Sequence, residues 1–408
     1  MKNKYMPTAI GLYINYLVHG MGVIILAQNM DALSRHWNTN LAGVATVISA
    51  LGIGRLVVYF FAGILSDKFG RKPFVYLGSS IYVLFFVGVL ISPNIWIAFV
   101  FGILAGAANS FLDCGTYPAL MESFPNAASS ANVFIKAFVS AGQFLLPLII
   151  SFLVAANLWF GWSFILCIVL LAFNAIYLFR RKFPPMQVSD EAGKAAEKSP
   201  IQFIGKPKFY IEGIAFCLYG YISQATFYLV SQWLTQYGSS VAHMGDTAAH
   251  ALMSYYAIGS IVCVFVTAVI ATRIHSTYLM IVYTFISMLA LTVLVLHPTA
   301  VVTTLFSFVI GFSAAGGVMQ LALTLMAEVF PKGKGTMTGV FYTLGSIASF
   351  TIPLITGQMS NKNISSIMVF DMWISVAGFV LALIIAYRCH KVIGFSSSSK
   401  VKTATSGN

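Results

Sequence analysis

Three ionisable residues, Arg55, Asp113 and Lys136, stand inside long apolar stretches of this chain. An ionisable group at the centre of a bilayer costs roughly 2.5–3.5 kcal/mol even on insertion scales, so each calls for a partner or a task. A carboxyl group that moves between an apolar surround and the side of a cation takes up and releases a proton, which makes Asp113 the candidate proton carrier. Arg55 and Lys136 are the candidate attractors of an anionic group. The competing reading is a static salt-bridge set that locks the helices around it.

Uncharged polar residues share faces with these three. Asn109 is four residues before Asp113, Lys136 precedes Ser140 and Gln143 on one stripe, and Asn15 with His19 forms a third. Later in the chain the polar positions carry no charge: Tyr221, Gln224 and Tyr228, then Gln320 and Tyr342. Amides and phenols of this kind suit substrate hydroxyls or carboxylates, although interhelical hydrogen bonds leave the same pattern. His19 reads first as a hydrogen-bonded interior residue and second as a proton relay.

The elements that position these residues follow from composition. Of 408 residues, 59% are hydrophobic and 8% charged, against about 25% charged in an ordinary soluble domain. Only a bilayer can act as solvent for that much apolar surface. Runs of about 20 apolar residues predict twelve spans, near 8–30, 41–62, 74–91, 95–119, 130–155, 160–180, 208–232, 248–271, 277–296, 300–326, 336–359 and 370–388. The first run is too long for a signal-peptide core and reads as a retained span. The five cysteines fall singly, with no pairing of a zinc or redox site, so neither metal nor cofactor is expected.

With an even number of spans both termini share a side, and 19 of the 23 Lys and Arg fall on it. That bias predicts cytoplasmic termini and accounts for the net charge of +12 without nucleic acid. At 1.5 Å per residue, Arg55 lies about 18 Å up its helix from Asp67, and Asp113 about 13 Å in from Glu122. With Lys136 about two turns into its span, the three share one depth and form a cation–anion–cation cluster. Asp31, Asp246 and Asp371 are read near the outer surface, and Glu212 as a simple helix-start acid.

Glu122-Ser123-Phe124-Pro125 recurs as Glu328-Val329-Phe330-Pro331, a shift of 206 residues, and Ser140, Phe144 and Pro147 map onto Ser346, Phe350 and Pro353 at the same shift. Two parallel repeats of six helices follow: an all-α membrane protein of two six-helix bundles, 1–181 and 207–391, a cytoplasmic linker 182–206, and a disordered tail 392–408.

The loop after the second span reads Gly63-Ile64-Leu65-Ser66-Asp67-Lys68-Phe69-Gly70-Arg71-Lys72. It resembles the major facilitator superfamily signature G-x-x-x-D-[RK]-x-G-[RK]-[RK] at every defined position. Gly63 is expected to permit close helix approach and Gly70 the turn. The resemblance implies the major facilitator fold and a cytoplasmic gate: Asp67 capping a helix of the opposite half, Arg71 paired with Glu122, Lys72 in the basic run, and Glu328 as the repeat counterpart. The second half has no good copy of the motif, since Arg273 stands where the shift places the aspartate. In the family, helices one, four, seven and ten line the cavity, and Asn15, His19, Asn109, Asp113, Tyr221, Gln224, Tyr228 and Gln320 fall on these. Over its whole length the chain is similar to uncharacterised enterobacterial inner-membrane members of the superfamily.

No Walker loop, HExxH run or supported Ser/Cys–His arrangement is present, which argues against an ATP-driven pump and a hydrolase. The expectation is a non-enzymatic secondary transporter working by alternating access in a bacterial inner membrane, monomeric and proton-coupled. More bases than acids among the cavity candidates incline it toward small organic anions. The alternatives are an exporter of hydrophobic or cationic compounds and a membrane nutrient sensor that binds without transport.

Overall fold

The structure, a computed structural model, describes residues 4–124, 128–185, 205, 207–271, 274–315, 317–330 and 334–392. Within its helices the side chains of Phe60, Ile64, Asp67, Asn132, Val133, Ala268, Gln320, Thr324, Ala327 and of residues 128–130 and 334–339 fall outside that description. Most of the expected linker, the tail beyond Val392 and Arg273 also lie outside the described residues.

The first half comprises α1 (Met6–Gln28), a short α2 (Met30–His36), α3 (Leu41–Phe69), α4 (Arg71–Ile91), α5 (Ile95–Ser123), α6 (Ala128–Ala155) and α7 (Trp162–Phe179). The second comprises α8 (Ile214–Ser240), entered through a wide turn at Phe209–Gly213, then α9 (Asp246–Ile270), α10 (Ser276–Leu296), α11 (Ala300–Ile310), α12 (Val318–Val329), α13 (Lys334–Ser360) and α14 (Ser365–Val392). Among the described residues there is no strand, and eleven helices are long and apolar enough to cross a membrane. The twelfth span is α11 and α12 together, interrupted by a wide turn at Gly311–Ala315 and by Gly317. Several helix starts are capped by short polar side chains: Asn40 accepts from the Gly43 amide at 3.0 Å, and Asn94 from Trp96 and Ile97 at 3.1 Å.

Large side chains on the outside are apolar, such as Val301, Phe179 and Trp96. Lipid is the solvent that accommodates them. Helices associate in lipid through close packing at small residues, and the repeat is visible in how they do so. A Cβ on Gly54 would strike the Ile103 carbonyl and one on Gly106 the Leu51 carbonyl, where α3 crosses α5. Gly259 and Gly311 stand in the same relation to Phe308 and Tyr256, where α9 crosses α11. The chain therefore folds as twelve spans in two six-helix bundles built to one plan.

The halves meet where α3 packs on α13 and α6 on α9. At the end away from the termini they are joined by Gln28 Nε2 donating to Thr235 Oγ1 at 3.1 Å, Gln236 Nε2 to Asp31 Oδ2 at 2.9 Å, and Asn40 Nδ2 to Asn361 Oδ1 at 2.9 Å. Deeper in, Ser254 donates to the Phe144 carbonyl at 2.8 Å. The molecule is thus closed at that end.

Two expectations change. Asp371 is fully buried, because α14 begins at Ser365 and carries it nearly two turns inside the helix. Glu212 is buried as well and is more than a helix-start acid: it accepts from the Lys208 amide at 2.8 Å and is ion-paired with Arg388, tying the start of α8 to the end of α14.

Candidate functional site

A cavity of about 430 Å³ opens between the halves. From the first half it is lined by Tyr16 and His19 on α1, Arg55 and Tyr59 on α3, Asn109, Asp113 and Tyr117 on α5, and Lys136 and Gln143 on α6. From the second it receives Gln224, Phe227 and Tyr228 on α8, Met319 on α12, and Tyr342 and Ser346 on α13. Gly63 and Arg71 border it toward the end that carries the termini.

The three intramembrane charges come together here. Arg55 Nη2 stands 3.6 Å from Asp113 Oδ2, and Tyr16 donates its hydroxyl to Asp113 Oδ1 at 2.5 Å. Lys136 lines the same cavity, yet among the described residues no acid lies within 4 Å of it. The expected cation–anion–cation cluster is thus one ion pair plus a second cation facing the cavity. Asn109 adds a buried amide oxygen with no hydrogen-bond partner. His19 is held by Tyr82, with Nδ1 2.6 Å from the phenol oxygen.

Other candidates stand elsewhere. Asn15 turns away: Asn174 of α7 donates to its Oδ1 at 2.7 Å, and it does not line the cavity. Tyr221 also lies outside, its hydroxyl 2.9 Å from Thr351 Oγ1 between α8 and α13. The side chain of Gln320 lies outside the described residues, as does that of Asp67. The cavity-facing stripe of α1 is Tyr16, His19 and Val23, a spacing of three and four. That spacing was the signal for Tyr16.

The signature loop is ordered by its own sequence. Gly70 has φ +96°, a conformation that L side chains rarely adopt, and so provides the turn from α3 to α4. Gly63 shows no close approach: nothing lies within 4 Å of where its Cβ would stand, because the cavity mouth is beside it. Arg71 Nε is 3.3 Å from Glu122 Oε1, and Arg71 Nη1 donates to Ser66 Oγ at 3.1 Å. Ser66 in turn donates at 2.8 Å to the Cys114 carbonyl, the acceptor that Pro118 inside α5 leaves without its helical N–H. Lys72 donates to the Phe179 carbonyl at 3.1 Å, where α7 ends.

The second half has its own version. Glu328 Oε2 lies 3.8 Å from His275 Nε2, at the place where Glu122 meets Arg71 in the first half. His275 caps α10, its Nδ1 accepting from the Thr277 amide at 3.3 Å. In the neutral tautomer with Nδ1 as acceptor, the ring N–H sits on Nε2 and faces Glu328. Burial holds the His275 pKa below its usual 6.5.

A family model described as Major Facilitator Superfamily matches residues 12–353. The chain belongs to the major facilitator superfamily. This superfamily member is accordingly a membrane transporter, not an enzyme. It is 54% identical over 398 residues to the inner membrane transport protein YdiM of Escherichia coli (strain K12), covering 96% of each chain. It is 25% identical over 399 residues to the gentisate transporter of Corynebacterium glutamicum, covering 94% of this chain and 87% of that one. In fold it is similar to the crystal structure of a D-xylose-proton symporter, with TM-score 0.76 at 13% identity over 94% of this chain and 97% of the other.

Proposed function

We propose that the chain is a proton-coupled secondary transporter of small organic anions, with Asp113 as the proton carrier and Arg55 and Lys136 as the anion-attracting pair. The observation behind this reading is the charge count of the cavity: two cations face one carboxylate, and Lys136 has no acid within 4 Å among the described residues. A solute carboxylate entering beside Lys136 would supply the missing negative charge in a site of low dielectric, where such a contact is strong. Asn109, Gln143, Gln224, Tyr228 and Tyr342 offer donors and acceptors for the rest of the solute. The relative named for gentisate, a carboxylate, supports the same direction.

The protein resides in a bacterial inner membrane as a monomer with both termini in the cytoplasm; the distribution of Lys and Arg supports that orientation. In that orientation the cavity faces the cytoplasm and the described state is inward-open. Residues 1–181 and 207–391 are the moving bundles, and Arg71 with Glu122, Asp67 and Glu328 belongs to the cytoplasmic gate.

The test is a thermal-shift screen of purified protein at two pH values with small carboxylates, neutral sugars and lipophilic cations, followed by flux in vesicles. A ligand at a hundred times its Kd stabilises by about 2.7 kcal/mol. Stabilisation by carboxylates that disappears in Lys136→Gln, and uptake driven by a pH gradient, are the expected results. Stabilisation by lipophilic cations alone, unaffected by Lys136→Gln, would overturn the anion reading in favour of an exporter. Binding with no flux would instead make the protein a sensor.

A further inference from the structure

Among the described residues the second half buries two carboxyl groups outside the cavity: Glu212, which is ion-paired with Arg388, and Asp371. Asp371 is fully buried on α14, and neither of its oxygens makes a hydrogen bond. Thr226 of α8 stands beside it. Tyr256 of α9, whose buried hydroxyl also lacks a partner, is close enough to feel its charge.

Among the described residues the elements packed on α14 provide no counter-ion; the wide turn at Phe209–Gly213 carries Glu212, an acid already paired with Arg388. α8 and α10 contain no charged residue and no histidine, and α13 contributes only Lys334, its first residue, at the end nearest the termini. The titratable residues of α9 besides its tyrosines and Cys263 are Asp246 and His250, which line a separate cavity with Asp31 at the closed end. An ionised Asp371 would therefore be desolvated with no cation to compensate it, the hydroxyl of Thr226 beside it being a neutral group. A bound metal cation in its place would require several oxygen ligands.

We infer that Asp371 is a second proton-binding site, holding its proton in the conformation described. Its position links it to the transport path without making it part of the cavity. Thr226 faces Asp371 from the same helix on which Gln224 and Tyr228 face the cavity. A rotation or shift of α8 would change both surrounds at once, so proton exchange at Asp371 accompanies the change of state. The inference makes no use of Asp113 and stands or falls separately from the assignment of the coupling proton there.

Infrared spectroscopy of the full-length protein in lipid tests it, through the carbonyl stretching band of protonated carboxyl groups between pH 6 and 8. The expected result is a band that persists across this range in the wild type and in Asp113→Asn and is lost in Asp371→Asn. A wild-type spectrum indistinguishable from that of Asp371→Asn would overturn it. If Asp371→Asn fails to fold, Thr226→Val reads the same group by removing the hydroxyl beside it: the band must change frequency, and an unchanged band overturns the assignment. A rise in melting temperature on replacing choline with sodium, present in the wild type and absent in Asp371→Asn, would make the occupant a metal cation and overturn the proton reading.

Discussion

The Tyr16 hydroxyl and one oxygen of Asp113 stand 2.5 Å apart although 97 residues separate them in sequence. Arg55 approaches the other oxygen at 3.6 Å. The carboxyl is thus shared between a neutral donor on α1 and a cation on α3, two helices of the same half. The second bundle, by contrast, brings to the cavity amides and phenols with no formal charge.

Tyr16→Phe removes the neutral donor and keeps the ion pair. A hydrogen bond to a charged group contributes roughly 1.5–3 kcal/mol. The variant is expected to keep ligand-induced stabilisation while the pH dependence of uptake in vesicles changes. A pH profile superimposable on the wild type would remove Tyr16 from the coupling apparatus.

Lys136 and Arg55 should separate binding from folding. Lys136 makes no ion pair within 4 Å among the described residues, so Lys136→Gln should melt within a few degrees of the wild type yet bind carboxylates ten- to a hundredfold more weakly, about 1.4–2.7 kcal/mol. Arg55→Gln leaves Asp113 without its cation and should lower the melting temperature as well. Titration of both variants with one carboxylate, beside their melting curves, distinguishes the two; equal stability losses would contradict the difference in pairing.

The two signature glycines predict opposite phenotypes. Gly70→Ala forces a side chain into φ +96° and ψ 164° and should cost about 1–3 kcal/mol, read as a lower melting temperature. Gly63→Leu meets open space in this state and should fold normally. If the mouth closes during the cycle, the added side chain obstructs it, and uptake falls at least tenfold with ligand binding retained. Full uptake by Gly63→Leu would mean that the mouth never closes there.

His275 supplies a pH dependence outside the membrane spans. Its pKa is lowered by burial, so the folded state binds this proton less readily than the unfolded chain does. The stability it contributes is present above pH 6.5 and lost as pH falls through the lowered value. Protonation would also place an N–H on the ring atom that accepts from Thr277, undoing the cap. His275→Asn keeps a capping side chain without a titrating ring, so its melting temperature should fall less than that of the wild type between pH 7 and pH 5. Parallel curves would exclude the effect.

Much of this was legible in the residues. Apolar runs and the loop signature carry the fold because a bilayer admits few solutions, and charges such as Arg55, Asp113 and Lys136 are conspicuous in an apolar run. Finer geometry was not. Asn15 and Tyr16 are neighbours, and one residue is a rotation of about 100° on a helix, enough to exchange the cavity for the α7 interface. Asp371 reads as a surface residue from the sequence because the apolar run there starts at residue 370, and a few residues' difference in a helix end changes depth by several ångströms. The His275–Glu328 pair escaped because its histidine lies two residues from the position the repeat offset predicts and matches no motif.

The bonds that join the halves at the closed end are mostly between neutral groups: Gln28 with Thr235, Asn40 with Asn361, Ser254 with a carbonyl. Such bonds contribute about 0.5–1.5 kcal/mol each, so their sum is a few kcal/mol, the scale at which a second conformation is populated at a per cent or less without any ligand. A solute or proton that binds one conformation only modestly better than the other would then redistribute the population. In the alternating transporter proposed above, weak fastening at that end makes the molecule sensitive: small differences in occupancy become large differences in which side of the membrane the cavity faces.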